Sequence, residues 1–316
     1  MPPQKPRVLQ TGPLIPALEK ALAEQFDRQP LWTHADPQRF LAEQGASFEA
    51  VATSARVGAD AALMDALPRL RAIASFGVGY DAVDVAAARA RGIAVSNTPD
   101  VLNDCVADIA MGLLIDVARG ISASDRFVRR GDWPRGEFPV TRRVSGKRLG
   151  IVGLGRIGQA LARRAAGFDM DIRYHTRRPI PDVAWKHEAS LPVLAGWCDF
   201  LVVAVAGGAA TRHLVSADVL EALGPRGFIV NISRGTVIDE AALVRALVER
   251  RVAGAGLDVF EHEPQVPQAL MALEHVVLLP HVASGTHETR QSMADLVLGN
   301  LTSFFRDGRL LTPVTL

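Results

Sequence analysis

Short apolar runs alternate with helix-length amphipathic stretches along nearly the whole chain. In the first third, Val8–Gln10, Phe48–Thr53, Ile73–Phe76 and Ile93–Ser96 read as strands. Pro16–Gln25 and Val83–Arg91 read as helices between them, which predicts a first, smaller parallel α/β unit. From Val101 to Arg130, one apolar face carried by Val106, Ile109, Ala110, Leu113, Leu114 and Val117 predicts a single long helix. Strands are then expected near 148–152, 171–175, 200–205, 228–232, 255–259 and 276–279, each followed by a turn or helix, as in a doubly wound sheet. A last helix, His287 to Asp307, is expected to leave this second unit and return to the first. The fold class is therefore α/β, with two Rossmann-like or flavodoxin-like doubly wound parallel-sheet domains. The expected division is 1–98 plus 286–316, and 99–285.

Composition narrows the class of protein. The chain has 316 residues, 48% hydrophobic and 22% charged, with a net charge of +1. That balance suits a soluble globular protein and gives no support for nucleic-acid or anionic-membrane partners. No apolar run reaches the ~18 residues of a membrane span. Residues 1–6 lead straight into the first strand without a signal-peptide core, so a cytoplasmic location is expected. Two cysteines, Cys105 and Cys198, make no disulfide framework, and no Cys/His cluster has metal-ligand spacing.

The most specific signal is Gly153-Leu154-Gly155-Arg156-Ile157-Gly158, between the strand Arg148–Val152 and a helical run from Gln159. In that setting Gly153 permits a tight turn, Gly155 lets amides approach a pyrophosphate, and Gly158 lets helix pack on strand. The helix N-terminus offers N–H groups and partial positive charge to the anion. The next strand ends in His175-Thr176-Arg177-Arg178, where an NAD site usually places an acid about 20 residues on. Arginines there suit a ribose 2′-phosphate. The expected cofactor is NADP, with NADPH preferred and NAD possible.

Three polar residues follow strand candidates: Arg234, Glu263 and His281. Arginine can fork onto a carboxylate. Histidine can give a proton to a developing alkoxide. An acid bonded to that histidine would favour its protonated ring. The residues alone leave Glu263, Glu261 and Asp258 open as that acid.

Four motifs in order carry a family resemblance: Gly153–Gly158, Asn231-Ile232-Ser233-Arg234-Gly235, Gly256–Phe260 with Glu263-Pro264, and Pro280-His281. Along nearly its whole length the chain resembles the D-isomer-specific 2-hydroxyacid dehydrogenases, and most of all their glyoxylate/hydroxypyruvate and hydroxyphenylpyruvate reductase branch. The resemblance implies that Arg234 binds substrate, Glu263 supports the histidine, and His281 is the acid/base. It implies that Val78 and Gly79, in Ser75–Asp81, bind the substrate carboxylate through backbone N–H groups. It puts Asp258 at the nicotinamide carboxamide, and Val106 and Ile232 in the cofactor site with Arg156, Ile157, Thr176, Arg177 and Arg178.

Two segments depart from the family pattern. Val205–Thr211 replaces the common Leu-Thr-Pro-Glu-Thr near the adenosine site, and Val282-Ala283-Ser284-Gly285-Thr286 replaces the frequent Gly-Ser-Ala-Thr after the histidine. A changed pocket edge with catalysis retained is the expectation. By the same resemblance, residues 130–138 form an arm on a second subunit, which implies a homodimer. Trp133 then either shapes the neighbouring site or is a dimer contact. The expected activity is NADPH-linked reduction of a small 2-keto acid to a D-2-hydroxy acid in a cleft between the domains. Its rivals are an NAD-linked dehydrogenase working oxidatively and a non-catalytic, NADP(H)-sensing interaction protein.

Overall fold

The computed structural model describes residues 5–314, whose strands form two sheets. One unit runs to Leu102 and resumes at Ser284. Its strands are β1 (Arg7–Gln10), β2 (Asp27–Pro30), β3 (Ala50–Ser54), β4 (Ala72–Phe76) and β5 (Ala94–Ser96), all parallel, in the order β2-β1-β3-β4-β5. β4 is buried along its length and β3 up to Ser54, because helices cover both faces of a parallel sheet. Asp60 and Asp84 cap the helices Ala61–Asp65 and Val85–Ala90 through side-chain bonds to Leu63 and Ala87 N–H.

The helix His287–Asp307 belongs to this unit. It starts at the cap Thr286, ends at the left-handed Gly308, and packs on β4 and the helix Pro16–Gln25. Asn300, fully buried, then ties down the chain end: its Oδ1 accepts Leu311 N–H (2.8 Å) and Thr312 N–H (3.0 Å). Val314 N–H reaches Val95 O on β5 at 2.8 Å.

The other unit is Asn103–Ala283. It holds β6 (Arg148–Val152), β7 (Asp171–His175), β8 (Lys186–His187), β9 (Phe200–Val203), β10 (Phe228–Asn231), β11 (Gly254–Leu257) and β12 (Val276–Leu278). The strands are parallel, in the order β12-β11-β10-β9-β6-β7-β8. Counted from β6, this is the dinucleotide-binding strand order with one strand added. The order reverses between β6 and β9, so the loops after those two strands flank the switch point.

Several expectations need correcting. The single helix from Val101 to Arg130 is two helices, Asn103–Arg119 and Ile121–Arg129, separated by Gly120 in the left-handed region (φ 61°). Asp116 holds the break, accepting Ser122 N–H at 2.8 Å and the Ser122 hydroxyl. Strands β2 and β8 lie outside the expected set. The two compact units divide at 102/103 and 283/284.

Candidate active site

The carboxyl ends of β6, β7, β10 and β11 carry most of the residues singled out from the sequence. After β6, Gly153 adopts φ 96°, and a Cβ there would lie 2.7 Å from Val205 backbone atoms in the loop after β9. A Cβ on Gly158 would lie 2.2 Å from the Gly153 carbonyl oxygen. Both positions therefore need glycine for the turn to fold so tightly against its neighbours. Gly155 differs: it caps the helix Arg156–Ala166 with open space around it. Arg156 and Ile157 are the helix's first residues, so their N–H groups have no intrahelical acceptor. An open, Cβ-free cradle before the amides of a helix N-terminus fits a pyrophosphate.

Beyond β7, Thr176 is half-buried, and its hydroxyl donates to Arg178 O at 2.6 Å. Arg177 and Arg178 are exposed. Among the described residues neither guanidinium has a hydrogen-bond or ion-pair partner. Two uncommitted cations at the end of the second strand suit a phosphate better than a ribose hydroxyl.

Beyond β12, His281 sits at φ 56°, unusual for a residue with a side chain. Its Nδ1 lies 2.7 Å from Glu263 Oε2, with each side chain about one-quarter exposed. Glu263 Oε1 also accepts Phe260 N–H at 3.2 Å, which fixes the carboxylate from a second side.

Geometry separates the three acids. Glu261 is taken by Arg212 (2.7 Å) and His213 (3.2 Å). Asp258 is fully buried, and its two oxygens accept Val282 N–H (2.7 Å) and Ala283 N–H (2.9 Å). Burial pushes the Asp258 carboxyl above the usual range, against the pull of those two N–H groups and the nearby His281. Asp258 thus grips the backbone just after His281 and stabilises the turn that presents the ring.

The β10 end shows the same device. Asn231 Oδ1 accepts the Ser233 N–H and hydroxyl, both at 3.0 Å, while its Nδ2 donates to Arg234 O at 3.0 Å. Asn231 is 1% exposed, so this turn is held from inside. A Cβ on Gly235 would fall 1.8 Å from Phe260 C. The Arg234 turn is therefore seated directly on the backbone that leads to Glu263.

The remaining site residues lie elsewhere. Val106 (5% exposed) and Ile232 (7%) are core residues of the same unit. Val78 and Gly79 belong to the other unit, half-buried in the loop after β4, with Val78 O accepting Asn97 Nδ2–H at 2.7 Å. Asn231 and Gly235 were read only as parts of a motif. The signal for a wider role was an amide side chain followed by Ser-Arg-Gly, an Asx-turn composition. Among the described residues no group of three His, Cys, Asp or Glu could hold a metal, and no helix is long and apolar enough to cross a membrane.

Residues 111–283 match the family described as D-isomer specific 2-hydroxyacid dehydrogenase, NAD binding domain. Hydroxyphenylpyruvate reductase of Plectranthus scutellarioides is 50% identical over 307 residues, covering 97% of this chain and 98% of that protein. A glyoxylate/hydroxypyruvate reductase of Arabidopsis thaliana is 48% identical over the same coverage. Among solved structures, the NADPH-dependent glyoxylate/hydroxypyruvate reductase of Sinorhizobium meliloti, in complex with NADP and malonate, superposes with a TM-score of 0.93. It is 45% identical, over 99% of this chain and 97% of that one. With this fold, this glycine turn and these matches over nearly its whole length, the chain belongs to the D-isomer-specific 2-hydroxyacid dehydrogenases and is an NAD(P)-dependent oxidoreductase.

Proposed function

We propose that this enzyme is an NADPH-preferring reductase of small 2-keto acids, glyoxylate, hydroxypyruvate or aryl pyruvates, forming the D-2-hydroxy acid. The observation that carries the reading is the 2.7 Å bond between His281 Nδ1 and Glu263 Oε2. With Nδ1 engaged, Nε2 is the atom that hands a proton to the substrate carbonyl oxygen. Glu263 orients the ring through that bond. Arg234 forks onto the substrate carboxylate, and in the other unit the loop after β4 offers the backbone N–H groups of Val78 and Gly79 to substrate. When bound, the reduced nicotinamide supplies the hydride.

Asp258, Val106 and Ile232 serve the nicotinamide end of the cofactor site in this reading. Both Asp258 oxygens accept a backbone N–H, which anchors the turn beside which the carboxamide would lie. Gly153, Gly155, Arg156, Ile157 and Gly158 hold the pyrophosphate. Thr176, Arg177 and Arg178 take the 2′-phosphate. Support for the substrate class comes from the relatives, named for hydroxyphenylpyruvate and for glyoxylate and hydroxypyruvate. The NADPH-dependent relative with NADP bound supports the cofactor preference.

The reading includes a homodimer. The helix Ile121–Arg129 buries none of its residues, and Ile121 (52%), Val128 (53%), Trp133 (66%) and Val140 (101%) are exposed around it. Light scattering coupled to gel filtration should give twice the chain mass; a monomer at all concentrations would remove this part.

Absorbance at ~340 nm, which follows the reduced nicotinamide, tests the activity with NADPH and NADH crossed against glyoxylate, hydroxypyruvate and phenylpyruvate. Turnover favouring NADPH, with a D-configured product, is expected. Equal use of both cofactors would sink the 2′-phosphate assignment, and absence of turnover with all three acids would sink the substrate class.

A further inference from the structure

The basic turn after β7 is not merely two arginines on a loop; it is laced to β8. β7 and β8 pair in parallel with Tyr174 opposite His187. His187 Nε2–H donates to the Thr176 carbonyl at 2.9 Å, and its ring lies 5.2 Å from that of Tyr174. The Thr176 hydroxyl then closes the turn onto Arg178 O at 2.6 Å. Tyr174, 1% exposed, accepts Ile180 N–H on its hydroxyl at 2.9 Å and so fixes the far side of the turn. His175 Nδ1, 3.0 Å from Glu188 O, adds a second tie between the chain at β7 and the chain at β8. Pro179, next in sequence, restricts Arg178 to extended backbone.

The two guanidinium groups therefore stand on a backbone fastened at Thr176, Arg178 and Ile180, while their own side chains make no hydrogen bond among the described residues. Holding a long cation where its anion will arrive lowers the ordering cost of binding. From this geometry we propose that His187 is a positioning residue for 2′-phosphate recognition. Its Nε2–H clamps the Thr176 carbonyl and so sets where Arg177 and Arg178 present their charge. The inference rests on the 2′-phosphate reading of that turn and adds a residue that never touches the nucleotide.

The test is calorimetric binding of adenosine 2′,5′-bisphosphate and 5′-AMP, which isolates the 2′-phosphate from catalysis. Wild type, His187→Ala and His187→Gln are compared, glutamine keeping an N–H donor of similar reach. His187→Ala should lose about tenfold of the preference for the bisphosphate, the scale of one weakened charge-assisted hydrogen bond. AMP affinity and the thermal midpoint should stay near wild type, and His187→Gln should recover most of the loss. An unchanged preference in His187→Ala, or an equal fall for both nucleotides, overturns the positioning role. A wild type that binds both nucleotides equally overturns the 2′-phosphate reading, and this inference with it.

Discussion

At the scale of single residues, the site is a set of choices among similar groups. Three acids compete near His281, and hydrogen bonds decide between them. Glu261 is consumed by Arg212 and His213, Asp258 by two backbone N–H groups, and Glu263 is left facing the ring. Replacing Glu263 with Gln preserves shape but puts a neutral amide in place of the carboxylate that orients the His281 ring. In steady-state kinetics kcat/KM should fall on the order of 10²-fold, with NADPH affinity by fluorescence titration little changed. A loss confined to NADPH affinity would contradict the assignment. Chemical type at each position was legible in the sequence, because strand ends followed by Arg, Glu-Pro and Pro-His are local patterns. The partner of His281 was not legible from the residues alone, and only the family resemblance pointed to Glu263. The groups that commit Glu261 lie 48 and 49 residues away, a separation local patterns do not span.

Elements explain which parts of the fold could be read and which could not. Buried strands such as β6, β9 and β10 are apolar runs and announce themselves. β2 reads Asp-Arg-Gln-Pro, half-exposed at a sheet edge, with side-chain hydrogen bonds from Arg28 and Gln29 in place of apolar burial. β8 has two residues, and its role as anchor of the basic turn comes from pairing rather than composition. The break at Gly120 was hidden because the apolar face that marks the helix, Val106 to Val117, lies wholly before it. The glycine turn makes the firmest prediction at this scale. Gly158→Ala drives a Cβ to 2.2 Å from the Gly153 carbonyl, a backbone atom that cannot swing aside. Denaturant unfolding should show a loss of about 1–3 kcal/mol, the usual cost of overpacking, and nucleotide binding should weaken with it. Stability and binding equal to wild type would refute the close helix–strand contact.

For the molecule as a whole, stability should carry a pH signature from the surface ion pair that joins β6 to the start of β9. Asp199 Oδ2 accepts Arg148 N–H at 3.0 Å and faces Arg148 Nε at 3.2 Å. Burial alone would raise the Asp199 carboxyl, but the Arg148 hydrogen bonds and charge outweigh it and hold it below the usual carboxylate range. A depressed folded-state pKa contributes stability above the ordinary carboxylate range and loses it as pH falls through the lowered value. Asp199→Asn should therefore cost about 1 kcal/mol or less near neutral pH, since both groups are partly exposed. The difference should vanish in acid; a penalty that grows as pH falls would contradict the sign. The central claim is chemical, and one comparison tests it most directly: single-turnover reduction of hydroxypyruvate by NADPH in wild type and His281→Ala. The account predicts a fall of about 10²–10⁴-fold in the rate, the contribution of a positioned general acid, with NADPH still bound. An unchanged rate in His281→Ala would contradict it.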